Sequence, residues 1–170
     1  LLSLFFSVIA VMEPLYDYTW ETTKKTGVDL IIALDTSKSM YASDISPSRF
    51  ERSRLEIKNL IQSLEGDRVG LILFTSNALT QCPLTVAYNA FSLFLDEAEI
   101  GLLPKGGTSL VSAIEKACDS FDTKYKKDRV LMIVTDGETH DMDLDSALKK
   151  ASEAGIRIFC VGLGSKEGVP

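Results

Sequence analysis

The chain has 170 residues, 18 of them Lys or Arg against 24 Asp or Glu, with one His and a formal net charge of −6 at pH 7. That length suits one domain with a core large enough to need no disulfide staples, and a chain 45% hydrophobic and 25% charged is not a disordered one. The acidic balance argues against a nucleic-acid partner, which calls for a basic stripe; the basic cluster Lys124, Lys126, Lys127 and Arg129 is interrupted by Asp122 and Asp128.

Residues 1–12 (LLSLFFSVIAVM) carry no charge. As a helix they rise only ~18 Å, short of a ~30 Å hydrocarbon core. They lack the basic start and the small-residue cleavage pattern of a signal peptide. Residues 1–13 therefore read as the C-terminal part of a truncated transmembrane helix, with a buried core helix as the alternative. Residues 14–26 read as a juxtamembrane linker, where Pro14, Tyr16, Tyr18 and Trp20 suit headgroup depth.

From Gly27 onward the pattern changes. The run 28–34 is short, β-branched and almost continuously apolar, as in a parallel strand covered on both faces, and 68–75, 129–135 and 156–163 read the same way. Helical stripes lie between them. Phe50, Ile57, Leu60, Ile61 and Leu64 form the first, with Ser46 expected as N-cap, Pro47 in the first turn and Gly66 at the end. The second stripe is Ala87, Ala90, Phe91, Phe94, Leu95 and Ala98. The third is Leu110, Ile114, Ala117, Cys118 and Phe121. The fourth is Leu144, Ala147, Leu148, Ala151 and Ala154, closed by Gly155. The run 79–84 (LTQCPL) follows the second strand so closely that it should pair antiparallel, as an edge strand that tolerates Pro83. Alternation of strands and helices predicts an α/β fold: a doubly wound, mostly parallel open sheet with one short antiparallel edge strand. Cys82, Cys118 and Cys160 have neither CxxC nor Cys/His spacing and read as small buried hydrophobes. The loop 164–170 ends the chain just after a strand, so the domain 27–170 reads as C-terminally incomplete.

In such sheets ligands bind beyond the carboxyl ends of the strands. The first strand is followed by Asp35, Ser37 and Ser39 at alternate positions, and the strand 129–135 is followed by Asp136. The loop 105–109 before the third helix adds Thr108. Two carboxylates and three hydroxyls, without His or Cys, form an oxygen-only set that selects a hard cation, Mg²⁺ or Mn²⁺ before Ca²⁺. Singly, each residue has an ordinary role: Thr108 as an N-cap, Asp136-Gly137 as a turn, the two serines as loop residues.

Together, Asp35-x-Ser37-x-Ser39, a distant Thr108 and a distant Asp136 resemble the metal-ion-dependent adhesion site of von Willebrand factor A (VWA) domains, whose fold is Rossmann-like. All five positions match in order, and the resemblance covers Gly27 to the end of the chain. It implies that Ser37 and Ser39 ligate the ion directly, that Thr108 does so directly or through water, and that Asp35 and Asp136 act largely through water. It further implies that the ion takes an Asp or Glu side chain from a partner protein. The segments 43–52, 81–85, 135–140 and 162–170 resemble the bacterial aerotolerance (Bat) VWA proteins, the BatB type more than the BatA type. That likeness implies an inner-membrane protein with a periplasmic VWA domain. Its implied partners are other Bat/VWA proteins and a MoxR-type AAA+ ATPase, in envelope-complex assembly or stress tolerance.

Other features carry less. The acidic run around His140 lacks the Gly and terminal Glu of an EF-hand, and its acids suit the N-terminus of the fourth helix, which leaves His140 as a solvent-facing loop residue. Gly162-x-Gly164 lacks the third glycine of a dinucleotide fingerprint. Lys38 reads as a rim charge. A haloacid-dehalogenase-like, Mg²⁺-dependent phosphotransferase also places an Asp after its first strand. Its acid–base carboxylate would fall at position 37, where this chain has Ser37. A metal-free scaffold is the third alternative.

Overall fold

β1 (Asp29–Asp35) is apolar between its two aspartates, and all of its residues are buried. In the computed structural model, which describes residues 27–103, 107–122, 127–137, 141 and 143–165, β1 is the centre of a five-stranded sheet of order β3-β2-β1-β4-β5. It pairs in parallel with β2 (Arg68–Phe74) and with β4 (Arg129–Thr135). β4 pairs in parallel with β5 (Ile156–Gly162). β3 (Ala78–Thr85) runs antiparallel to β2 on the outer edge, as its short separation from β2 required. The expected membrane helix 1–13 and linker 14–26 lie outside the described residues, as do Lys124, Lys126, Glu138, His140 and 166–170. Among the described residues no helix is long and apolar enough to cross a membrane.

The sheet is covered on both faces. Leu30, Ile32 and Leu34 of β1 face α1 (Arg49–Gln62) and α2 (Tyr88–Asp96), meeting Phe50, Ile57, Ile61, Phe91 and Leu95. Ile31 and Ala33, one residue out of phase, face α3 (Leu110–Ser120) and α4 (Leu144–Glu153) through Ala113, Ile114, Ala117, Ala147 and Ala151. Period-2 alternation thus feeds two cores from one strand. Phe91 and Leu95 are fully buried, each stabilising by about 1.5–3 kcal/mol relative to exposure.

Five expectations change. α1 starts at Arg49 rather than near Pro47, because Ser48 is the N-cap and its hydroxyl accepts from the Glu51 amide at 3.2 Å. Its last helical residue is Gln62, capped by Ser63, and Gly66 (φ 82°) instead turns the chain into β2. β5 is not covered on both faces: among the described residues it is an edge strand, and Phe159 (56% exposed), Cys160 and Val161, which alternate between its two faces, are all exposed. Cys160 is therefore exposed and Cys118 half-buried, leaving Cys82 as the buried thiol. Phe94 and Leu148, at the margins of their stripes, are exposed. The last helix does close as expected, with Gly155 at φ 68° just beyond it.

From β1 the chain crosses to β2 on one side, then returns to place β4 on the other side of β1. The order therefore reverses between β1 and β4. At such a switch point the loops leaving the two carboxyl ends diverge and open a crevice. Asp35 ends β1, and Asp136 follows β4.

Candidate metal centre

Asp35 is the last residue of β1, and none of its surface is exposed. One carboxylate oxygen accepts the Ser37 amide at 2.8 Å, a local Asx turn that folds the chain back over the strand end. The other accepts the Thr135 hydroxyl at 2.7 Å. Thr135 ends β4, and its hydroxyl also accepts the Gly137 amide at 3.2 Å. One threonine thus orients Asp35 and shapes the turn that carries Asp136.

Past Asp35, Thr36 is tied to the end of β2, its amide and hydroxyl both donating to the Phe74 carbonyl at 2.9 and 3.2 Å. A 3₁₀ turn (Lys38–Tyr41) follows, anchored by the fully buried Met40. The turn brings the hydroxyls of Ser37 and Ser39 to 2.9 Å from each other and leaves Lys38 exposed between them.

Thr108 is buried on the same edge of the sheet. The next residue fixes that placement: the Ser109 amide donates to the Thr75 carbonyl at 2.8 Å, just past β2. Ser109 is also the N-cap of α3, accepting the Ser112 amide at 3.2 Å, so the ordinary capping role falls to Ser109 and not to Thr108. Asp141, expected to favour the first turn of α4, instead accepts the Val111 amide at 3.0 Å. It ties the loop after Asp136 to the first turn of α3.

The Asp136 side chain is fully buried, and its Oδ2 accepts from Nη1 of Arg49 at 2.9 Å. Nε and Nη2 of Arg49 take both oxygens of Asp44, at 2.9 and 3.0 Å. Asp44 also accepts the Ser165 amide at 2.8 Å, from the segment after β5. The Arg49 guanidinium holds the Asp44 carboxyl down to about 2, with the Ser165 amide adding to the effect. Asp44 in turn raises the Arg49 pKa. Sequence reasoning assigned no role to Arg49, Asp44 or Thr135. The Ser48-x-x-Glu51 capping pattern could have placed Arg49 in the first turn of a helix, but nothing local links it to Asp136, 87 positions away.

Electrostatically, the two aspartates differ. Burial pushes the Asp35 carboxyl above its ordinary value and nearby Asp136 adds to the push, while the Ser37 amide and Thr135 hydroxyl pull against it. Among the described residues no cationic side chain pairs with Asp35. The donor set suits a small hard cation. Two oxygens 2.9 Å apart match the edge of an octahedron whose bonds are about 2.0–2.1 Å long, and a buried carboxylate without a counter-cation stands behind them. Among the described residues no three His, Cys, Asp or Glu side chains gather as a metal site. The donors that the structure places together here are hydroxyl and carboxylate oxygens, which suit hard cations better than soft ones.

A family model of the von Willebrand factor type A domain matches residues 29–168. Among solved structures, the fold is similar to that of the conserved hypothetical protein BatB from Bacteroides thetaiotaomicron, with a TM-score of 0.80 and 40% identity over 85% of this chain and 70% of that one. An aerotolerance-related membrane protein from Bacteroides fragilis NCTC 9343 gives a TM-score of 0.80 and 38% identity over 85% of this chain and 71% of that one. An uncharacterized protein of Borreliella burgdorferi is 30% identical over 144 residues, 83% of this chain and 42% of its own length. The chain thus spans less than half of that relative.

Proposed function

The chain belongs to the von Willebrand factor type A family, and on that premise we propose that it is a divalent-cation-dependent protein-interaction domain with its site at Asp35, Ser37, Ser39, Thr108 and Asp136. The observation that supports this most directly is the pair of serine hydroxyls 2.9 Å apart in front of a fully buried aspartate. Bound there, Mg²⁺ or Mn²⁺ would supply a positive centre that neutral hydroxyl donors leave largely uncompensated, open to a carboxylate from an Asp or Glu of a partner protein. Ser37 caps the 3₁₀ turn and Ser39 lies within it, which keeps their hydroxyls 2.9 Å apart. Asp35 is held in one orientation by the Ser37 amide and the Thr135 hydroxyl. Lys38, exposed on the rim, raises the encounter rate with an acidic partner and is screened by salt.

The whole protein is read here as membrane-anchored and bacterial, at the inner membrane with this domain on the periplasmic side. It would act with other Bat/VWA proteins and a MoxR-type AAA+ ATPase in envelope-complex assembly or stress tolerance. Support comes from the two Bacteroides structures, one of them of an aerotolerance-related membrane protein, and from the uncharged segment 1–12. A phosphotransferase is disfavoured because position 37, which that chemistry needs as a carboxylate, holds a hydroxyl bonded to Ser39. Release of phosphate from small esters is expected to stay flat when Mg²⁺ is added.

The decisive experiment is thermal unfolding of the chain in EDTA and then in millimolar Mg²⁺ or Mn²⁺. At ~100 times its Kd an ion stabilises by about 2.7 kcal/mol, several degrees in Tm. Asp136→Ala is expected to keep the far-UV circular dichroism of the fold and lose the shift. No shift in the unaltered chain, or an equal shift in the variant, would overturn the proposal.

A further inference from the structure

Asp136 already has a cation. The Arg49 guanidinium, 11% exposed as a side chain, is engaged through all three nitrogens: two grip Asp44 and the third reaches Asp136 at 2.9 Å. Both carboxylates are nearly or wholly buried, at 6% and 0% exposure. Arg49 sits in the first turn of α1, fixed by the Ser48 cap and by its own amide, which donates to the Ala42 carbonyl at 2.9 Å. The guanidinium is therefore part of the built structure and not a surface charge that happens to lie near an acid.

We infer that Arg49 and Asp44 form a tuning pair that sets the divalent-ion affinity of this site through charge. The inference rests on the functional reading above and goes beyond it. Asp35 and Asp136 bring two negative charges to the carboxyl edge, and Arg49 and Asp44 are together neutral. An ion held at this edge would meet Arg49 as a like charge behind Asp136, and Asp44 beyond it as the compensating charge. Neutralising Arg49 alone makes the cluster more negative by one unit. Neutralising Asp44 alone makes it less negative by one unit. Neutralising both restores the starting charge. In partly exposed surroundings, a unit charge a carboxylate's width from a divalent ion alters affinity by about tenfold. A pair that served only to hold Asp136 in place would behave differently, because any break in it would loosen Asp136 and weaken binding.

Binding of Mn²⁺ alone to the full chain, read by loss of the free-ion electron paramagnetic resonance signal, separates these cases. Arg49→Gln is expected to tighten Mn²⁺ by about tenfold, and Asp44→Asn to weaken it by a similar factor. The double variant should return to within about threefold of the unaltered chain. Arg49→Lys, which keeps the charge without the fork, should stay near the unaltered value. Each difference should shrink as salt is raised. Circular dichroism and Tm in EDTA establish that every variant is folded. Weakening in both single variants, or a double variant no tighter than Asp44→Asn, would overturn the tuning pair. So would unchanged affinity in Asp44→Asn, which decides the matter alone if Arg49→Gln does not fold. Failure of the unaltered chain to bind Mn²⁺ is a separate result, and it would overturn the site itself.

Discussion

Asp44 is the residue whose ionisation the fold uses most openly. Arg49 and the Ser165 amide hold its carboxyl at about 2, below the ~3.9 of an unfolded chain. A depressed carboxyl pKa contributes stability that is fully present above the unfolded value and is lost as pH falls through the folded one. Asp44→Asn should therefore be less stable than the unaltered chain at pH 7, with the gap closing between about pH 4 and pH 2. Urea unfolding of both proteins across that range measures it, and a gap that persists at the acid end would contradict it. Asp35, raised by burial, works in the opposite direction in both proteins and so drops out of the difference. The legible part of the site was its local part. Asp35, Ser37 and Ser39 are two apart in one loop, and their shared turn can be read directly from that spacing. Arg49 was invisible because its partner Asp136 lies in another loop, and only the folded sheet edge brings the two together.

Element by element, the stripes gave helices and the apolar runs gave strands, but the boundaries depended on single hydrogen bonds. Ser46-Pro47 looked like a helix start because Pro favours the first turn. The competing signal two residues later, Ser48 with Glu51 three positions on, prevailed because the Ser48 hydroxyl satisfies an otherwise orphaned amide. Ser48→Ala should cost about 1 kcal/mol of stability, and it should reach the site too, since Arg49 is the next residue. Chemical denaturation reads the first effect, and a loss within the scatter of surface substitutions would count against the cap. β5 misled for a different reason. An apolar run shows that a strand can be buried, and only the fold shows whether anything packs on its faces. Phe159 and Val161 lie on the outermost strand and stay exposed despite their composition.

For the molecule as a whole, alternation of elements sufficed for a doubly wound sheet, and the short 75–77 connection for the antiparallel edge. That β4 returns to the far side of β1, creating the switch point, was not readable from any one segment; it follows from how the two cores share β1. Ladder bonds on both sides and full burial along its length make β1 the least able to open locally. Amide hydrogen exchange should be slowest in Asp29–Asp35 and distinctly faster in Ile156–Gly162, and equal protection would contradict that ranking.

The central position of β1 also determines how the domain bears load. The chain enters the sheet at Asp29, at one end of the strand, and the proposed binding edge lies at the other end, beyond Asp35, a span of about 23 Å at ~3.3 Å per residue. Tension between a tether before Gly27 and a partner held at Ser37 and Ser39 would run lengthwise along β1. Both points of attachment lie on this one strand and the turn after it, so the already extended covalent backbone of β1 carries the load and the parallel ladders need not slide. A pull applied sideways at β3 or β5 would peel the sheet open one bond at a time. A domain wired in this way yields late when pulled along its own functional axis and early when pulled from its rim.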